Sequence, residues 1–166
     1  QTMSLLVIKS KETREALVPH AYNQKQVVDA SHLLVICVQD NITDTDIDIH
    51  FGNVKDIRET PETILEPFKK NLKLTMEGKT IEERQDWSIK QAYIALGNLM
   101  TVCAIEQIDS CPMEGFNPQA FDDVLKLQDK NLKSVLLLPV GFRAEDDKFS
   151  SFKKVRKQLN DAVIEM

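Results

Sequence analysis

The apolar residues of this chain follow two patterns. In the first they form short continuous runs: Leu5-Leu6-Val7-Ile8, residues 31–38 and residues 133–141. A continuous run lacks the in–out alternation of a half-solvated strand. Each therefore predicts a strand buried on both faces, with residues 31–38 central in a sheet. Pro139 falls near the end of its run, where a strand tolerates a missing N–H.

In the second pattern apolar residues recur at helical spacing. Ser10 caps a short helix that runs through Leu17 and ends at Pro19. Residues 20–27 are polar and loop-like before turning into a short helical segment. Asp44, Asp46, Asp48, Asp56 and Glu59 make residues 41–59 acidic. Acids just after Thr43 suit a helix N-terminus, and a solvated helix face accounts for the others. Thr60 caps and Pro61 opens a helix carrying the stripe Ile64, Leu65, Phe68 and Leu72, which Gly78 stops. Asn117-Pro118 starts a short helix through Leu127, and Ala162-Val163-Ile164-Glu165-Met166 reads as a last strand.

Residues 80–116 organise the rest. They open with Thr80-Ile81-Glu82-Glu83, a capping box. From Ala92 on, apolar residues point to nearly every side. Such a helix is buried all round, or buried on one side and in a subunit interface on the other. Residues 81–107 would span about 40 Å at 1.5 Å per residue. The polar residues before Ala92 exclude a membrane span. Ala95 and Gly97 leave room for another backbone. The stretch ends in Ser110-Cys111-Pro112-Met113-Glu114-Gly115-Phe116. Pro112 and Gly115 bracket a tight turn whose N–H groups no helix needs. Such groups can hold a planar, acceptor-rich ligand; an ordinary helix-to-helix turn is the alternative. Strands and helices mix without a βαβ rhythm, which predicts an α+β domain with helices around a small sheet.

With 166 residues, 42% of them hydrophobic, the chain is long enough for one domain with a real core. A net charge of -5 weighs against nucleic-acid binding. Within this acidic chain Phe152-Lys153-Lys154-Val155-Arg156-Lys157 is a basic knot. It is either a solvated face or a clamp for an anion, most simply a phosphate. Cys37, Cys103 and Cys111 are odd in number and contain no CxxC, which predicts a reducing, cytoplasmic setting. Cys37 and Cys103 read as packing residues. His20, His32 and His50 show no metal-ligand spacing, so no metal is expected. No signal peptide or transmembrane segment is legible. The opening Gln1-Thr2-Met3-Ser4 enters an apolar run at once, which predicts a start inside a domain.

Taken in order, Asn23-Gln24-Lys25-Gln26, the helix from Trp87 to Ile105, Pro112-Met113-Glu114-Gly115-Phe116, Leu138-Pro139-Val140-Gly141 and Lys154-Val155-Arg156 resemble the FMN-dependent nitroreductase family of NAD(P)H oxidoreductases. The resemblance covers essentially the whole chain. It implies a small, mostly antiparallel sheet surrounded by helices in an intertwined homodimer, with two FMN sites at the interface. It implies that Pro112, Met113, Glu114 and Gly115 lie against the flavin ring, with the Glu114 N–H facing N5. Asn23 would contact the polar edge of the ring, and Lys154 and Arg156 would hold the phosphate. The flavin carries the hydride chemistry, so no side chain is named as general acid or base. Acceptors would be nitroaromatics, quinones or similar flat molecules, reduced by a ping-pong cycle.

Two departures stand out. Gln26 occupies a position that is lysine in much of the family, so it offers a hydrogen bond without a charge. Nothing matches the family's N-terminal Arg-x-Ser/Thr segment, which predicts an N-terminally incomplete single domain over residues 1–166. A dimerising remnant without catalysis, or another flavin chemistry on the same fold, is the alternative.

Overall fold

The computed structural model describes residues 2–166. Four strands form one antiparallel sheet: β1 (Met3–Ile8), β2 (His32–Gln39), β3 (Asp109–Ser110) and β4 (Leu132–Gly141), in the order β1-β2-β4-β3. β2 and β4 are central and covered on both faces, which is why their apolar runs do not alternate. Leu33, Val35 and Cys37 point to one face, and Ile36 and Val38 to the other.

The first face is covered by α1 (Lys11–Leu17), α2 (Gln26–Asp29) and α6 (Pro118–Leu125), with Leu17, Val27, Phe121 and Leu127 fully buried there. The opposite face is covered by α5 (Ile81–Ile105). A β-bulge lies between these layers. Ile36 pairs with Leu136 but Cys37 pairs with Ser134, so Val135 is an extra residue in β4. The extra residue shifts the alternation of β4. Leu132 and Leu137, at opposite parity in sequence, both reach the α6 face. Ser134 also turns to α6, where its N–H and Oγ donate to Asp122 Oδ1 at 2.8 and 2.6 Å. Burial pushes the Cys37 thiol up to about 12, with the Asp122 charge adding to it, so Cys37 is a packing residue.

α3 (Asp44–Arg58) and α4 (Glu62–Glu77) pack on each other as a hairpin beside this body. Lys73 and Lys69 of α4 pair with Asp48 of α3. The capping box expected at Thr80 is formed, and α3 opens with a second one between Thr43 and Asp46. Pro61, not Thr60, takes the cap position of α4. No helix among the described residues is long and apolar enough to cross a membrane.

Three expectations change. β1 is an edge strand with Leu5 and Val7 exposed, because the cover that α5 gives the sheet reaches Met3 of β1 but leaves these two residues open. α5 is not buried all round: only Ser88, Ala92 and Leu96, a single i, i+4, i+8 stripe, are buried on the sheet. No atom comes within 4 Å of a Cβ built on Gly97, so no backbone approaches there within the chain. The carboxyl end is not a strand. It forms a single helical turn, α7 (Leu159–Ala162), and every residue from 151 to 166 is exposed.

The Asp122–Ser134 pair predicts the cost of losing the bulge anchor. Asp122→Ala leaves the buried Ser134 N–H without an acceptor and should destabilise the fold by about 1–3 kcal/mol. Urea denaturation at unchanged m-value would read this.

Candidate functional site

The turn at residues 111–116 hangs on β4. Met113 N donates to the Leu137 carbonyl at 2.9 Å, and Leu137 N donates back to the Met113 carbonyl at 3.0 Å. Cys111 N donates to the Pro139 carbonyl at 3.0 Å. The Met113 side chain is buried, and Phe116 stacks edge-on against Phe121 with ring centroids 4.8 Å apart. The strand β4 and the turn itself, not a helix, take part of the turn's N–H groups. The amides of Cys111 and Met113 are paired, and that of Phe116 donates to the Glu114 carbonyl at 3.0 Å. The N–H groups of Glu114 and Gly115 are the adjacent pair in the turn with no acceptor among the described residues. Glu114 is exposed and Gly115 half-buried, so the two amides border solvent.

The polar segment after the first helix forms a wall beside this turn. Tyr22 and Asn23 are both left-handed, with φ of 52° and 59°. Asn tolerates that region readily, whereas a bulky Tyr is uncommon there. The reversal brings Gln24 back over the turn. Its Nε2 donates to the Gly115 carbonyl at 2.8 Å and to the Ala21 carbonyl at 3.1 Å. A Cβ on Gly115 would sit 3.3 Å from that Nε2 and 3.8 Å from the Tyr22 ring, so glycine permits the close approach. Asn117 N donates to the His20 carbonyl at 2.8 Å, a further tie between the two segments. Asn23 and Gln26 stand exposed on the segment so fixed. From behind, the buried Arg14 guanidinium donates to the carbonyls of Val28 and Ala30 and closes the end of α2.

α5 supplies the opposite wall. The Tyr93 hydroxyl donates to the Glu114 carboxylate. That bond raises the pKa of the phenol above its ordinary value, with partial burial adding to it.

Lys154 and Arg156 lie on the exposed carboxyl-terminal segment. Among the described residues, no hydrogen bond or ion pair joins either to the turn. Arg156 Nη1 donates to the Val155 carbonyl at 2.8 Å. Lys154 is near enough to Asp109 of β3 to help hold its carboxyl below the usual range. The larger cause is the Arg143 guanidinium, bound to Asp109 through Nε at 2.6 Å and Nη2 at 2.8 Å. The structure thus brings the segment of Asn23 and Gln26 against Pro112, Met113, Glu114 and Gly115, and leaves Lys154 and Arg156 on a separate exposed strip. Gln24 and Tyr93 complete the arrangement and were not singled out by sequence. Gln24 had a signal in the polar string around it; Tyr93 had none.

The family model described as Nitroreductase family matches residues 1–142. The chain belongs to the nitroreductase family. This is a family of oxidoreductase enzymes. A Staphylococcus epidermidis relative assigned to the NAD(P)H nitroreductases is 32% identical over 169 residues, covering 95% of this chain and 74% of the relative. Bacillus subtilis YfkO, assigned likewise, is 30% identical over 177 residues and covers 95% and 75%. Among solved structures, the Bacillus subtilis nitroreductase-type protein YdfN has a TM-score of 0.86 at 19% identity, covering 100% of this chain and 78% of its own. A nitroreductase-type protein from Exiguobacterium sibiricum, solved in complex with FMN, has a TM-score of 0.84 at 19% identity, covering 99% and 77%. The nitroreductase-like fold expected from the sequence is therefore present.

In this nitroreductase-family chain Gln24 is the side chain that locks the polar wall to the turn. Gln24→Ala should cost about 0.5–1.5 kcal/mol, the worth of a neutral hydrogen bond. Hydrogen exchange should rise in residues 21–27 and 113–117 and stay unchanged in β2.

Proposed function

We infer that this chain is an FMN-dependent NAD(P)H oxidoreductase that reduces nitroaromatics, quinones or similar flat acceptors. One observation carries the reading. Two adjacent free amides, Glu114 and Gly115, border solvent at a turn fixed by β4, Gln24 and Tyr93. The donor set suits the cofactor. A flavin ring is flat and rich in acceptor atoms, and fixed N–H groups favour the electron density that its nitrogen gains on reduction. When bound, FMN would supply the hydride chemistry between NAD(P)H and the acceptor.

The protein's own residues would bind and orient. The Glu114 and Gly115 amides would donate to the ring, with Pro112 and Met113 beside them in the turn that β4 holds. Met113 acts as the anchor, since its side chain is in the core. Asn23 and Gln26 offer side-chain donors for the ring's polar edge. Lys154 and Arg156 offer a point charge and a planar fork for the phosphate.

The functional unit of this reading is a homodimer with FMN between the subunits. Ile94, Val102 and Ile105 of α5 are exposed, at 61%, 55% and 73%. Covering such side chains contributes about 1.5–3 kcal/mol each. The open space over Gly97 lets a second backbone come close. The free cysteines Cys37, Cys103 and Cys111 accord with a reducing, cytoplasmic setting.

The direct test is optical. The purified protein, or protein mixed with micromolar FMN, should show oxidised-flavin absorbance that NADPH or NADH bleaches and a quinone restores. A protein that takes up no FMN would favour the non-catalytic alternative. Lys154→Ala with Arg156→Ala should weaken FMN binding by at least about tenfold per side chain, given charge-assisted hydrogen bonds worth about 1.5–3 kcal/mol each. Light scattering should show the dimer unchanged.

A further inference from the structure

Glu114 is the one residue of the turn that brings a charge to it. Its amide belongs to the free pair, and its carboxylate is an anion on the same residue. An anion beside an electron-accepting ring opposes reduction of that ring, so the placement of this carboxylate matters. The fold places it from α5. Ser88, Ala92 and Leu96 dock α5 on the sheet, and Tyr93 follows directly after the fully buried Ala92. Its backbone is therefore fixed to the same sheet that carries the turn. From there the hydroxyl donates to the Glu114 carboxylate. Gln24 holds the Gly115 carbonyl from the side of α1 and α2. The two free amides lie between these two ties.

We propose that Tyr93 is a positioning residue that orients and partly neutralises the Glu114 carboxylate, and so sets how readily a flavin on this turn is reduced. This rests on the flavin reading above. The phenol compensates the negative charge by a charge-assisted hydrogen bond. Without it the carboxylate regains its full field at the turn, and the electron-rich reduced ring is disfavoured. Removing the charge altogether should act in the opposite direction. A residue that merely packs α5 would shift stability, not the balance between two redox states of a ligand.

The experiment has one part without flavin and one with it. The chain has two tyrosines, so Tyr22→Phe leaves Tyr93 alone to titrate in the ultraviolet. In flavin-free protein its phenol should titrate above the ordinary value of about 10, and adding Glu114→Gln should bring it down. A phenol at its ordinary value overturns the proposal at its first step. In the FMN-loaded protein, Tyr93→Phe should lower the preference for reduced over oxidised FMN by about three- to tenfold, a midpoint potential about 15–30 mV more negative for a two-electron couple. Glu114→Gln should shift the potential to more positive values. In the Glu114→Gln background, Tyr93→Phe should shift it no further. An unchanged potential in Tyr93→Phe, or an equal shift in both backgrounds, overturns the proposal. A wild-type protein that stays colourless with added FMN overturns the flavin reading itself, before any potential is measured.

Discussion

Two hydrogen bonds between Met113 and Leu137 hold the candidate site on the core. They extend the edge of the sheet by one bridge beyond the short strand β3, and they carry the turn to a fixed height on β4. Because both backbone groups of Met113 are engaged and its side chain is buried, the next peptides must leave the sheet. That departure frees the Glu114 and Gly115 amides. Buried amides without partners are costly, so a free pair is stable only where it meets solvent or a ligand. Everything proposed about cofactor binding depends on this small region of interrupted pairing.

The two layers around the sheet hold the turn from opposite sides. The polar wall of residues 20–26 belongs to the layer of α1, α2 and α6, and Tyr93 belongs to α5. A turn held by one layer alone could swing with it. Held by both, it keeps its amides in place without help from a ligand, which is the preorganisation that electrostatic stabilisation requires.

The outer side of α5 shows a different economy of surface. Its inner stripe is narrow and made of small residues with one Leu, which seats the helix closely on β2 and β4. Ile89, Leu99 and Met100 flank that stripe and are partly buried on the sheet, whereas Ile94, Val102 and Ile105 are exposed, as are Leu5 and Val7 at the neighbouring edge. Exposed apolar patches of this kind mark interaction surfaces. The proposed dimer covers this one. The tail bearing Lys154 and Arg156 is exposed throughout, with Lys154 close enough to Asp109 of β3 to act on its carboxyl.

Much of the fold was legible in the chain itself. The unalternating runs of β2 and β4, the Ser10, Thr43, Thr80 and Asn117 caps and the stop at Gly78 are local matters, each decided by residues within about four positions. The ordered motifs also gave the family. What sequence could not supply was pairing at a distance. Gln24 meets Gly115 across 91 residues, and Tyr93 meets Glu114 across 21. The bulge at Val135 decides which face Ser134 serves, and no local pattern announces it. Composition could say that α5 was apolar on all sides, but only its docking on the sheet decided which stripe was buried. Local chemistry chooses the elements because its partners are adjacent in the chain. The free amides, their two ties and the uncovered surface come from topology, which joins residues that sequence keeps apart.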